Sequence, residues 1–69
     1  MIELGMYTAK DDGNYDGHYY PENNLVEAIG PLPADRDSGA RGVAFSAPAT
    51  SEKDARSEIL HAINEGKLR

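Results

Sequence analysis

The sequence predicts an α+β fold: a small antiparallel sheet of about three strands, with one C-terminal amphipathic helix packed on one face. Three observations predict it. Residues 2–9 alternate with a period of two, a run of turn-forming residues follows at once, and residues 50–66 carry apolar side chains at helical spacing.

In the first element Ile2, Leu4 and Met6 fall on one side and Glu3, Gly5 and Tyr7 on the other. A strand with one buried face reads this way. Gly5 interrupts the pattern and is a natural site for a bulge. Residues 11–17, DDGNYDG, are dense in turn formers, and Asp12-Gly13 and Asp16-Gly17 are both good hairpin turns. A second strand is expected around His18–Tyr20, limited by Pro21, which removes a ladder donor. Residues 23–30 support two readings. Asn24 suits the cap of a short helix over Leu25–Ile29, and Leu25, Val26 and Ile29 equally suit a strand. The strand is preferred, because it needs no long excursion of the chain after the hairpin.

Pro31–Gly42, with two Pro, two Gly and mixed charge, reads as a long loop. Val43–Ala47 is a short strand with Phe45 directed to the core, ended by Pro48. The last element carries the strongest signals. Thr50 and Ser51 are good N-caps, and Ser51 with Asp54 resembles a capping box. Glu52 and Asp54 suit the positive end of the helix dipole. Ala55, Ile59, Ala62 and Ile63 form one stripe with Leu60 on its flank, and Gly66 stops the helix after Glu65.

A chain of 69 residues makes one domain, residues 1–69, with a thin core. Leu, Ile, Val and Phe together number 12, while Ala alone supplies nine of the apolar residues. A core this lean favours help from a partner subunit, a ligand or a metal, and leaves room for a homodimer. With no Cys, neither a disulfide nor a thiolate zinc site supplies that help. No apolar run reaches membrane-spanning length, and the first residues lack the pattern of a signal peptide, so a cytoplasmic location is expected. Residues 1–35 carry seven acids and one base, and residues 36–69 carry five acids and six bases. The acidic first half repels phosphate and argues against nucleic-acid binding.

The sharpest local match is Asp12-Gly13-Asn14-Tyr15-Asp16-Gly17, which resembles the D-x-[DN]-x-[DN]-G start of a calcium loop. Asp12, Asn14 and Asp16 are the candidate ligands. The closing bidentate Glu is missing, since Asn23 stands in its place, and the flanks read as strands. A polar hairpin turn accounts for the same composition. Four Tyr fall within the first 20 residues. One or two are expected to complete the core. The others, with neighbouring acids, would form an acidic, aromatic surface for a basic protein partner. Tyr15, Tyr19, Tyr20, Asp11, Asp16 and Glu22 are its candidates, with Tyr15 and Tyr20 expected to be the more exposed.

His18 and His61 admit an acid/base or zinc role with nearby carboxylates, yet no convergent set is visible in their spacing. No serine lies in a nucleophile elbow. The loop Asp37–Gly42 has the Gly and Arg of an anion cradle without the ending of a P-loop. The expected function is therefore a non-catalytic protein-interaction module: a small regulator, inhibitor or accessory subunit, and not an enzyme. The alternatives are a calcium-stabilised domain and a small enzyme subunit with a His/carboxylate site. No cofactor is expected beyond calcium.

Overall fold

The computed structural model describes residues 1–32 and 42–68. The chain runs as β1 (Ile2–Thr8), β2 (Asn14–Tyr20), a 3-10 turn over Pro21–Asn23, β3 (Leu25–Leu32), β4 (Val43–Pro48) and α1 (Glu52–Asn64). The strands form one antiparallel meander in the order β1-β2-β3-β4, and α1 packs across one face. The architecture is the expected α+β. It has four strands rather than about three, because residues 25–32 form a full strand. Asn24, weighed as a helix cap, instead adopts a left-handed conformation (φ 49°) that closes the 3-10 turn and starts β3.

The strand β2 begins four residues earlier than the sequence suggests. Its burial alternates through all of Asn14–Tyr20, with Tyr15, Gly17 and Tyr19 buried beneath the helix and Asn14, Asp16, His18 and Tyr20 on the other face. Asp16-Gly17 is therefore strand, and the hairpin turn lies over residues 9–13. There Asp12 N–H donates to Ala9 O (3.0 Å), Ala9 N–H donates to Gly13 O (2.8 Å), and Asp12 takes the positive φ of 68°. Asp11 Oδ1 accepts from Gly13 N–H at 3.1 Å, the local side-chain bond that makes Asp a turn residue.

Gly5 does mark a bulge. Glu3 pairs with His18 and Gly5 with Gly17, so Leu4 is the extra residue, and Gly5 has φ 92°. The bulge reverses the alternation beyond it. Leu4 stays in the core, Met6 turns to the open face at 60% exposure, and Tyr7 packs on the helix side. The expected grouping of Met6 with Ile2 and Leu4 fails for that reason. Arg56 on α1 secures this edge: its Nη1 donates to Leu4 O at 2.9 Å and to Tyr7 Oη at 3.3 Å, and its Nη2 contacts Glu52 Oε2 at 3.3 Å.

The helix forms as its sequence dictates. Ser51 Oγ accepts from Asp54 N–H at 3.0 Å, while Asp54 Oδ2 accepts from Thr50 N–H at 3.0 Å. This is a reciprocal cap displaced by one residue from the usual box, because the Asp side chain returns to Thr50. At the other end Lys67 N–H donates to Ala62 O (2.8 Å) and Gly66 N–H to Ile63 O (3.1 Å), with Gly66 at φ 73°. That is a Schellman stop, and it turns Leu68 back into the core. Lys10 Nζ adds a bond to Asn64 O at 2.9 Å, a cation at the negative end of the helix.

The core explains how so few large aliphatics suffice. Ala9, Ala28, Ala49, Ala55 and Ala62 are buried with Leu4, Tyr15, Tyr19, Val26, Ile59 and Leu68. Small residues let helix and sheet approach closely, and two tyrosines supply the volume. Contact is closest at Gly17, where a Cβ would lie 2.9 Å from Ile59 Cδ1 and 3.1 Å from both Leu4 Cβ and Tyr7 Cε1. Phe45 is only half-buried, at the margin of this core. Of the expected loop over 31–42, Pro31 and Leu32 belong to β3 and the Gly30–Pro31 peptide is cis. Residues 33–41, and with them most of the anion-cradle expectation, lie outside the described residues.

Candidate functional site

With α1 on one face of the sheet, the other face is left open among the described residues. Directly opposed residues of antiparallel strands share a face. The register places Glu3 opposite His18, His18 opposite Glu27, Asp16 opposite Ile29 and Tyr20 opposite Leu25, all on the face away from the helix. No described element packs over this face. It presents three carboxylates, one imidazole and one phenol, bordered by apolar Met6, Ile29 and Val43.

At the centre, His18 Nε2 lies 3.0 Å from Glu3 Oε1 and 3.1 Å from Asp16 Oδ2. The three side chains form the group of potential metal ligands found among the described residues, with their ligand atoms within 4.8 Å of one another. The His18 side chain is 15% exposed, and its Nδ1 is buried without a hydrogen-bond partner. Its ring meets the Tyr20 ring edge-on, with centroids 6.5 Å apart. Burial pushes the Tyr20 phenol above the usual tyrosine value. The Glu27 carboxylate adds to this by its charge and by a hydrogen bond, and Glu22 adds by its charge. The phenol thus remains a neutral donor beside Glu27.

The surface expected from sequence is redistributed. Tyr15 and Tyr19 are core residues, exposed by 0% and 4%, and not part of the surface. Their positions on the helix side of β2 follow from the period-two pattern of that strand. Burial, and next to it the Asp11 charge, raises the Tyr15 phenol above its usual range, and its hydroxyl has no partner. Asp11 lies in the hairpin turn before β2 and Glu22 in the 3-10 turn after it, so a strand of about 23 Å separates the two acids. Of the six expected contact residues, Asp16 and Tyr20 share the open face and Glu22 lies near Tyr20.

The candidate calcium ligands fall on two elements. Asp12 is in the turn, whereas Asn14 and Asp16 are two residues apart on an extended strand. Asn14 Oδ1 accepts from Thr8 Oγ1 at 2.9 Å, and Asp16 is directed to His18. His61 pairs with Glu65 along the exposed side of α1, Nε2 to Oε2 2.8 Å, and no third ligand joins them among the described residues.

The sequence reading missed Glu3 and Glu27 as site residues. The signal was present in N-Y-D-G-H-Y-Y, where polar and bulky residues alternate. Once that run is taken as strand, Glu3 and Glu27 fall beside His18. Comparison with protein-family models, with curated proteins and with solved structures finds no match. No described helix is long and apolar enough to cross a membrane.

Proposed function

We propose that this protein is a non-catalytic interaction module that binds a basic protein surface through the open face of its sheet. The observation that carries this reading is the grouping of Glu3, Asp16 and Glu27 on one uncovered face of the described structure, next to Tyr20 and the exposed side chains of Met6 and Val43. Carboxylates converging on a rigid platform attract Lys and Arg, and the phenol and thioether provide contact area once water is expelled. A sheet face holds these groups in fixed register, so little ordering is needed on binding.

The test is a nuclear magnetic resonance titration of the labelled chain with a synthetic peptide of alternating Arg and Leu. Shifts are expected to concentrate at Glu3, Asp16, Tyr20 and Glu27 and to weaken with added salt. Shifts centred on Asp11 and Asp12, or spread evenly over the acids, would contradict the reading.

A further inference from the structure

We infer that Glu3, Asp16 and His18 form a binding site for a divalent transition-metal ion of the zinc class. The inference stands on side-chain geometry and does not require the partner reading above.

One nitrogen, His18 Nε2, faces two carboxylate oxygens at 3.0 and 3.1 Å. A single N–H proton lies along one line and cannot align with both, so at least one of these contacts is a poor hydrogen bond. A metal ion has no such restriction. With bonds of about 2.0–2.2 Å to imidazole nitrogen and carboxylate oxygen, neighbouring ligand atoms are about 2.8–3.1 Å apart in an octahedral shell and about 3.3–3.6 Å apart in a tetrahedral one. The two spacings already present match an octahedral shell and fall about 0.2–0.6 Å short of a tetrahedral one, a difference the Glu3 side chain, 69% exposed, is free to take up.

Charge points the same way. Two carboxylates surround one imidazole, so even the protonated ring leaves an excess negative charge. A divalent ion bound by the neutral ring and both carboxylates cancels it. On binding, Nε2 gives its lone pair to the ion: a protonated ring releases its Nε2 proton to water and keeps the one on Nδ1, and a neutral Nε2–H ring changes tautomer so that its single proton sits on Nδ1. The backbone supports the set: His18 and Asp16 lie on β2, a strand paired on both sides, and Glu3 is the cross-strand partner of His18 just before the bulge. Mixed nitrogen and oxygen donors favour zinc-class ions over calcium, which takes oxygen. Three protein ligands leave positions open to water or to a group from a partner.

Affinity is limited by the outer shell. A ligating imidazole ordinarily donates its second N–H to an acceptor, and loss of that bond weakens binding by roughly 10–100-fold. His18 Nδ1 has no such acceptor. A micromolar rather than nanomolar dissociation constant is expected.

The experiment is calorimetric titration of the full chain with Zn2+, paired with Co2+ absorption and with imidazole nitrogen shifts. One ion per chain is expected to bind, with the His18 signal reporting Nε2 ligation and with Tm rising as zinc is added. Glu3→Gln and Asp16→Asn should each weaken binding at least tenfold, and His18→Gln should abolish it. Asp12→Asn and His61→Gln, which alter the turn and the helix surface, should leave it unchanged. Circular dichroism and the zinc-free Tm establish that each variant is folded. Glu3→Gln, at an exposed side chain, keeps the test valid if His18→Gln does not fold. Absence of binding at 100-micromolar zinc (about a hundredfold above the lower micromolar range expected here), or binding that persists in folded His18→Gln, would overturn the inference. The peptide titration is run without metal, so failure of one proposal leaves the other standing.

Discussion

Replacing Gly17 with Ala is expected to destabilise the protein, although Ala is ordinarily the better strand residue. The backbone at Gly17 has no positive φ, so an added methyl meets only a packing cost. Relieving the flexibility of Gly should contribute about 0.5–1 kcal/mol in favour of Ala. Against this, the new Cβ would lie 2.9 Å from Ile59 Cδ1 and 3.1 Å from Leu4 Cβ and Tyr7 Cε1. Leu4 Cβ is fixed to the bulged backbone and cannot retreat, so helix and sheet must separate. Overpacking of this kind costs about 1–3 kcal/mol. The net expectation is a loss of about 1 kcal/mol, or about 4–8 °C in Tm for a domain of this size. Urea and thermal melts of Gly17→Ala measure it directly. Ile59→Val removes the nearest atom, so it should cost less in the Gly17→Ala background than alone, where about 0.5–1.5 kcal/mol is usual. Gly42→Ala, with nothing within 4 Å of its added Cβ, is the clash-free reference and should gain about 0.4–1 kcal/mol. A Gly17→Ala protein as stable as the parent, with additive behaviour in the double variant, would refute the close helix–sheet contact.

Other expectations rest on single groups. Tyr15→Phe removes a buried hydroxyl without a partner, and should leave stability unchanged or raise it by up to about 1 kcal/mol in a urea melt. Tyr15 and Tyr20 both have folded-state values raised above the unfolded one, so their contribution is present below the ordinary tyrosine pKa and is lost as pH rises through the folded values. Stability should therefore fall above about pH 10, less steeply in Tyr15→Phe, with tyrosinate absorbance as the check. Ser51→Ala should cost about 0.5–2 kcal/mol through loss of the cap to Asp54 N–H. Arg56→Lys should lower Tm, because a lysine cannot hold Leu4 O and Tyr7 together while reaching Glu52, and the change should speed amide exchange around the bulge.

The helix was legible because cap, stripe and stop each had a residue that specified it: Ser51, the Ala55–Ile59–Ala62 stripe and Gly66. The order of strands was legible for similar reasons. The start of β2 was not. Asp, Asn and Gly are turn residues by composition, but the cross-strand pairs of Asn14, Asp16 and Gly17 with both neighbours outweigh that local preference. The error carried into the site. A turn would expose Tyr15, whereas a strand buries it and groups Asp16 with His18 and Glu3. The effect of the bulge on Met6 was equally hidden, since one extra residue inverts every later side chain. Glu3 and Glu27 became site residues only through pairing across strands, which no spacing along a single strand displays.

The proposed binding surface is the open sheet face and not the Asp-rich turn. Its most direct test compares Glu27→Lys with Asp12→Lys in the Arg/Leu peptide titration. The two variants have equal net charge and place the new lysine on the open face and in the turn, respectively, with circular dichroism and Tm establishing that each is folded. The account predicts that Glu27→Lys weakens the peptide at least tenfold while Asp12→Lys changes affinity by less than about threefold, the residual effect of a screened, distant charge. Equal losses, or a larger loss in Asp12→Lys, would contradict it.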